Sequence, residues 1–269
     1  MKNAIQTLQA DTREILLEMV EYRELLIQMV RRDLLLRYKQ TIMGVGWAVF
    51  MPLVNTAVFS VIFVRVAPIQ TDVPYPVFAY CGLLAWNFFV SSLRFAVISL
   101  TSNVNLVTKV YFPREIFPFS CVVVALVDLL VGSGVLIALM AYYHVGVSAT
   151  LWLLPVVILV HVVFSAGIAL LVSMANLFYR DVKYLFEIVA SVWMFATSVV
   201  YPVDRIGGTA GAILQLNPMT PIIDAYRATV LLGQVPSPSF IVAAAIAFLT
   251  FYTGWLVFHR LEFRFAESI

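Results

Sequence analysis

The sequence predicts an all-α membrane protein: six transmembrane helices, an amphipathic interface helix before them and a re-entrant helix pair before the last span. Three observations carry this. The 269 residues are 62% hydrophobic and only 12% charged, about half the charge of an ordinary soluble domain. The apolar residues gather in six runs, each near the ~20 residues a helix needs to cross hydrocarbon. Finally, Arg31, Arg32, Arg37 and Lys39 stand directly before the first run. Cations in such a position stay on the cytoplasmic side.

Residues 1–10 carry no pattern. Asp11 to Val30 reads as an amphipathic helix, opened by a capping box of Asp11 and Glu14. Ile15, Met19, Tyr22, Leu26 and Met29 share one face, with Glu14, Glu18, Glu21 and Gln28 on the other. Such a helix lies on the inner membrane surface, on a basic protein partner or on its own chain. The polar, acidic start lacks the apolar core of a cleavable signal peptide. Residues 1–30 are thus expected to be a cytoplasmic segment and residues 31–269 the transmembrane domain.

The six runs are 46–66, 76–100, 116–143, 150–178, 184–203 and 240–259. With the N-terminus inside, Lys2, Arg13, Arg23, Arg31, Arg32, Arg37, Lys39, Lys109, Arg114, Arg180, Lys183, Arg260 and Arg264 are cytoplasmic. Arg65, Arg205 and Arg227 fall outside, and Arg94 falls within the second run. The inside bias is strong, and both termini are expected in the cytoplasm.

Val203 to Pro238 is too long for a tight turn and too apolar for a solvated loop. Its glycines and prolines fit two short helices, Ala210–Leu216 and Pro221–Leu232, with Thr220 and Pro221 at the start of the second. Helices this short dip into a leaflet and return. Irregular backbone at that depth requires a cover of protein or a water-filled path.

The absent motifs exclude several chemistries. No glycine precedes a lysine, so there is no phosphate-binding loop for ATP. There is no H-E-x-x-H, C-x-x-C or other close His/Cys cluster, and no metal site is expected. Cys81 and Cys121 read as buried small hydrophobes. A net charge of +2 is too small for a nucleic-acid partner. Gly132-Ser133-Gly134 with His161 is better read as helix packing than as an intramembrane hydrolase. Asp128 and Arg94 are charges inside spans, so Asp128 needs a partner, a proton or water. Arg94 is one candidate partner, although the two depths differ.

Several pieces resemble a known family when taken in order. They are R-x-x-L-x-x-R-Y-K-x-T-x-x-G-x-x-W-x-x-x-x-P-L at 31–53, F-P-R-E-I-F-P at 112–118 and F-Y-R-D-V at 178–182. V-Y-P at 200–202, N-P-M-T-P at 217–221 and Ala225-Tyr226-Arg227 follow. Together they resemble the membrane subunit of ABC-2 type exporters of bacterial cell-surface polysaccharides. The resemblance implies a six-span homodimer in the bacterial cytoplasmic membrane, above two copies of a separate ATPase that bind ATP and Mg. The chain itself would be no enzyme and carry no cofactor. Its cargo would be a polysaccharide on a polyprenyl diphosphate lipid: O-antigen first, with teichoic acid, capsule or a smaller lipid or drug as alternatives. An intramembrane enzyme acting on a lipid-linked substrate is a further alternative, but no acid–base constellation supports it.

A sliding glycan needs water and flat apolar surfaces. Asn55, Phe59 and Phe63 stand at four-residue steps, as do Trp193, Thr197 and Tyr201, so each set shares a helix face. These six are the expected channel lining. Lys109, Arg114, Glu115, Arg180 and Asp181 are the expected ATPase-coupling residues. Arg37 and Lys39 are expected to meet a lipid diphosphate or membrane headgroup.

Overall fold

The computed structural model describes residues 20–39, 44, 46–66, 68–109, 112–203, 206, 208–262 and 265. The expected capping box at Asp11 and Glu14 lies outside the described residues. Among the described residues every regular element is helical. The order is α1 (Arg23–Tyr38), α2 (Gly46–Val61, ending in a π turn to Val66), α3 (Tyr75–Ser99), α4 (Val104–Lys109) and α5 (Ile116–Tyr142). Then come α6 (Leu154–Phe178), α7 (Val182–Phe195), α8 (Gly208–Gln215), α9 (Met219–Arg227) and α10 (Pro238–Leu261).

Among the described residues five segments are long and apolar enough to cross a membrane: Val49–Val66, Tyr75–Ser99, Ile116–Tyr142, Ala149–Phe178 and Pro238–Leu261. They fall on five of the six expected runs. The remaining one, the fifth run at 184–203, is only partly helical. Helix α7 has 14 residues and ends at Phe195, and the chain then turns through 196–200. The Asn217 amide donates to the Ala196 carbonyl at 2.9 Å, and Arg227 donates to the carbonyls of Ser198 and Val199. These carbonyls would otherwise accept bonds from the next helical turn, so side chains from α9 and its approach replace the continuing helix.

Helix α3 is the centre, with most of its residues buried. It packs on α5, α6 and α2, and α6 packs on α10. The α6–α10 contact depends on small residues: a Cβ on Gly167 would lie 2.7 Å from the Phe251 backbone. A second apolar cluster closes one end, called here the base. It joins Met29, Leu100, Val107, Phe112, Ile116, Leu177 and Phe258.

Helix α1 packs on its own chain at that base. Met29 is buried, with Tyr22 and Leu26 packed around it, while Glu21 and Gln28 are exposed as the pattern predicted. The helix runs eight residues beyond the expected end at Val30, to Tyr38. Polar ties hold this extension: Arg32 donates to Asn103 at 3.0 Å, and Ser120 donates to Asp33 at 3.2 Å.

The irregular segment contains the two expected short helices, shifted by a few residues. They are α8, and α9 followed by a π turn over Ala228–Leu232. Gly233 ends this turn at φ 67°, where a side chain would be strained.

Candidate functional site

Helix α3 is least covered toward its C-terminal end: Phe95 and Ile98 are exposed apolar groups there, and one strip beside them is polar. Arg94 is exposed, and Asn87 and Ser91 are partly so, at spacings that share one face. The Arg94 Nε and Nη2 donate to both Glu187 oxygens on α7, at 2.6 and 2.8 Å. About half of each side chain remains exposed, 52% and 47%. One turn further along α7, Ser191 is exposed as well. A cavity of about 170 Å³ opens beside the strip, lined in part by Trp47, Asn87, Ser91, Arg94 and Asp128. A half-exposed ion pair on helices this apolar faces water or a second protein surface, not hydrocarbon. The strip therefore marks a polar groove face of α3, beside α2 at the cavity and beside α7 at the ion pair.

This pairing corrects the expected one. Arg94 meets Glu187, not Asp128. Asp128 accepts from both Arg37 and Tyr38 of α1. Burial, then the Asp128 carboxylate, push the Tyr38 phenol up to about 12, so it remains a donor at neutral pH. Arg37 also lies over the Phe95 ring, 3.9 Å from its centroid. Its cation is thus used inside the chain, whereas Lys39 is exposed.

The expected channel residues fall into two groups. On α2, Asn55 is exposed, and Phe59 and Phe63 stack with centroids 6.2 Å apart. Phe63 then meets Tyr75 at the start of α3. On α7, Trp193 packs on Trp86 and Phe89. Thr197 is fully buried, donating to the Trp193 carbonyl and accepting from Asn217 at 2.7 Å each. It faces packing within the single chain. Tyr201 donates to the Phe195 carbonyl. Tyr75 connects the groups, since its hydroxyl donates to the Val200 carbonyl at 2.8 Å.

A buried polar hub supports this region. Arg227, placed outside by the charge count, is 3% exposed. Its guanidinium donates to the carbonyls of Ser198, Val199 and Phe78 and to Asp224, and lies 3.7 Å from the Phe78 ring centroid. Gly82 makes room for it: a Cβ there would lie 2.2 Å from Nη2. Asn217 is a second tie. Its Oδ1 accepts from the Trp193 indole at 3.0 Å and from the Met219 amide at 3.1 Å. His161 is fully buried, with Nδ1 3.3 Å from the Tyr226 hydroxyl. Ser133 donates to the Leu130 carbonyl, so these two serve packing, not a hydrolase pair.

The expected coupling residues gather at the base but divide by exposure. Lys109, Arg180 and Asp181 are exposed. Arg114 is a staple, donating to the carbonyls of Val107 and Glu262. Glu115 is 1% exposed, with Oε1 3.3 Å from His259 Nδ1. No metal ligand was expected, yet the fold brings ligand atoms of Glu115, His259 and Glu262 within 4.8 Å of one another. Sequence reasoning missed Glu187, although it lies inside the fifth run. It missed the hub roles of Asn217 and Arg227 too, although both stand in quoted motifs.

The comparisons agree with this architecture. The chain is 28% identical over 256 residues to the "O-antigen export system permease protein RfbA" of Myxococcus xanthus, covering 94% of this chain and 98% of that protein. A protein of the same name from Klebsiella pneumoniae is 28% identical over 247 residues, 91% of this chain and 95% of its own length. The ABC-2 type transporter family matches residues 24–231, from α1 through the π turn after α9. A bundle of long apolar helices fits that match, and the chain belongs to the ABC-2 type transporter family.

Proposed function

We infer that this chain is the permease subunit of an ATP-driven exporter that moves a polyprenyl-diphosphate-linked O-antigen out through the cytoplasmic membrane. Family membership and the names of the relatives support the class and cargo. The observation that carries the mechanism is the half-exposed Arg94–Glu187 pair on two strongly apolar helices. With Asn87 and Ser91 it gives a wetted floor toward the base, and the rings of Phe59 and Phe63, beside Tyr75 at the other end of α3, offer flat apolar surface farther along the path. Hydroxyls of a sliding sugar exchange with water on the floor while its C–H faces pass the rings. Contacts of this kind bind weakly enough to release.

Under this reading the working unit is a homodimer. The exposed apolar faces of α2 (Val54, Val58, Val61) and α7 (Leu185, Ile188, Val192) meet lipid or the second copy. Helix α7 with the turn after it completes a sixth pass, and α8 and α9 are the re-entrant pair. Both termini lie in the cytoplasm, where a separate ATPase binds ATP and Mg. Lys109 and Asp181 meet that partner directly. Arg114 and Glu115 transmit its motion through the staples to α4, α5 and α10. Lys39 meets membrane headgroups.

The test is complementation. A strain lacking its O-antigen permease is given this chain with its cognate ATPase, and surface polysaccharide is read on a gel. Restored long-chain lipopolysaccharide is the expected result. Restored export with the ATPase left out overturns the reading, as does no restoration when both proteins are present and inserted.

A further inference from the structure

Most of the cations held within the packed structure have a defined use: Arg32 with Asp33, Arg37 with Asp128, Arg94 with Glu187, Arg114 on carbonyls and Arg227 with Asp224. Two exposed cations share one cavity with no counterion among the described residues. At the base, the end of α6 and the start of α7 enclose a cavity of about 260 Å³, lined by Arg180, Lys183, Asn176 and Thr101. Among the described residues neither Arg180 nor Lys183 makes an ion pair. Lys183 has only the Tyr184 ring, 4.7 Å from its Nζ. Asp181 stands between them in sequence but does not line the cavity.

We propose that this cavity is a phosphoryl-anion site for a lipid-borne phosphate or diphosphate. Four features converge. Two unpaired cations supply charge, in the pairing of fork and point charge that phosphates take. Asn176 is 2% exposed and fixes the wall: its Oδ1 accepts the Lys183 amide at 3.2 Å, and its Nδ2 reaches Thr101 at 3.5 Å. The first-turn amides of α7 are already bonded, so the anion is held by side chains. Ile98 and Val104, also lining the cavity, are exposed apolar groups. They suit a hydrocarbon attached to the anion. The volume of about 260 Å³ lies below the range of a whole-ligand pocket and fits a headgroup. The site lies on α7 one turn from Glu187, at the base end of the groove. It deepens the export reading by giving the lipid diphosphate a seat that Arg37, held by Asp128, does not provide.

The experiment uses the full chain in nanodiscs of phosphatidylethanolamine and measures binding of radiolabelled geranylgeranyl diphosphate. The Arg180→Gln/Lys183→Gln variant should bind at least about tenfold more weakly, as expected for lost charged hydrogen bonds. Lys183→Arg, which keeps the charge, should bind like the wild type, and so should Lys109→Gln at the same end. Phosphatidylglycerol and inorganic pyrophosphate are run as competitors. Failure of both to compete assigns the site to a diphosphate lipid; competition by phosphatidylglycerol supports the same site with a bilayer headgroup as its source. Unchanged binding in the double variant overturns the proposal, as does displacement by pyrophosphate alone at equal concentration, which would leave the lipid no part. Binding requires neither ATPase nor export. If the chain binds but fails complementation, the export reading falls and the site stands; if it exports while the double variant binds unchanged, the site falls.

Discussion

The Arg37 guanidinium and the Asp128 carboxylate form an ion pair that fastens α1 to the middle of α5, with Tyr38 as a second donor to the same carboxylate. Both side chains are less than one-fifth exposed. Removing one partner leaves the other charge buried and alone. Arg37→Met should therefore destabilise the protein by about 3 kcal/mol, whereas Arg37→Met with Asp128→Leu should recover much of the loss. Thermal unfolding in detergent measures both. Equal midpoints for the single variant and the wild type would remove this pair from the supports of the fold.

Arg94→Glu places two carboxylates face to face on the groove floor. Export should stop while the protein still inserts. Arg94→Glu with Glu187→Arg restores opposite charges and should restore part of the export. The readout is the length distribution of surface lipopolysaccharide beside a membrane-fraction immunoblot. Because both side chains are half exposed, thermal stability should change little in either variant.

Gly82 allows Arg227 to approach α3. Gly82→Ala puts a carbon 2.2 Å from Nη2 and 2.3 Å from the Val199 carbonyl oxygen. Backbone cannot yield cheaply at that contact, so a loss of about 1–3 kcal/mol or more is expected. Arg227→Ala removes the contact with Nη2 but not the one with the Val199 backbone, so the double variant should lose more than Arg227→Ala alone yet less than the sum of the two single losses. Strictly additive losses in the two single variants would contradict the shared contact.

Asn217→Asp keeps the shape but exchanges two donors for an anion. The Ala196 carbonyl would then face a carboxylate in place of an amide. A destabilisation of about 2–4 kcal/mol follows, a lost bond plus an unmet buried acceptor. Asn217→Ser, small and still able to donate, should cost less. The order of the two in a thermal melt is the check, and the reverse order rejects the role given to this amide.

The long helices were readable because apolar runs of spanning length have few other outcomes. The short pair α8 and α9 was readable because glycine and proline punctuate it. Helix α7 was not, since its run stays apolar beyond Phe195, and what ends it comes from Asn217 and Arg227, more than twenty residues later. The same distance in sequence hid the Arg94–Glu187 pair: each looks like an isolated charge in a greasy helix until α3 and α7 lie side by side. The charge count placed Arg227 outside because it weighs cations by segment, while the fold buries this one among carbonyls. At the candidate site the sequence showed which residues carry chemistry. Arg114 and Glu115 show what it could not: whether a charged group at the base points outward to a partner or inward to its own backbone.

Helix α7 is seated on Asn176 at one end and tied through Trp193 to Asn217 at the other. A single stiff rod of 14 residues, about 20 Å long, thus links the base to the buried polar hub. A tilt imposed at its foot arrives at the far end without a hinge to absorb it.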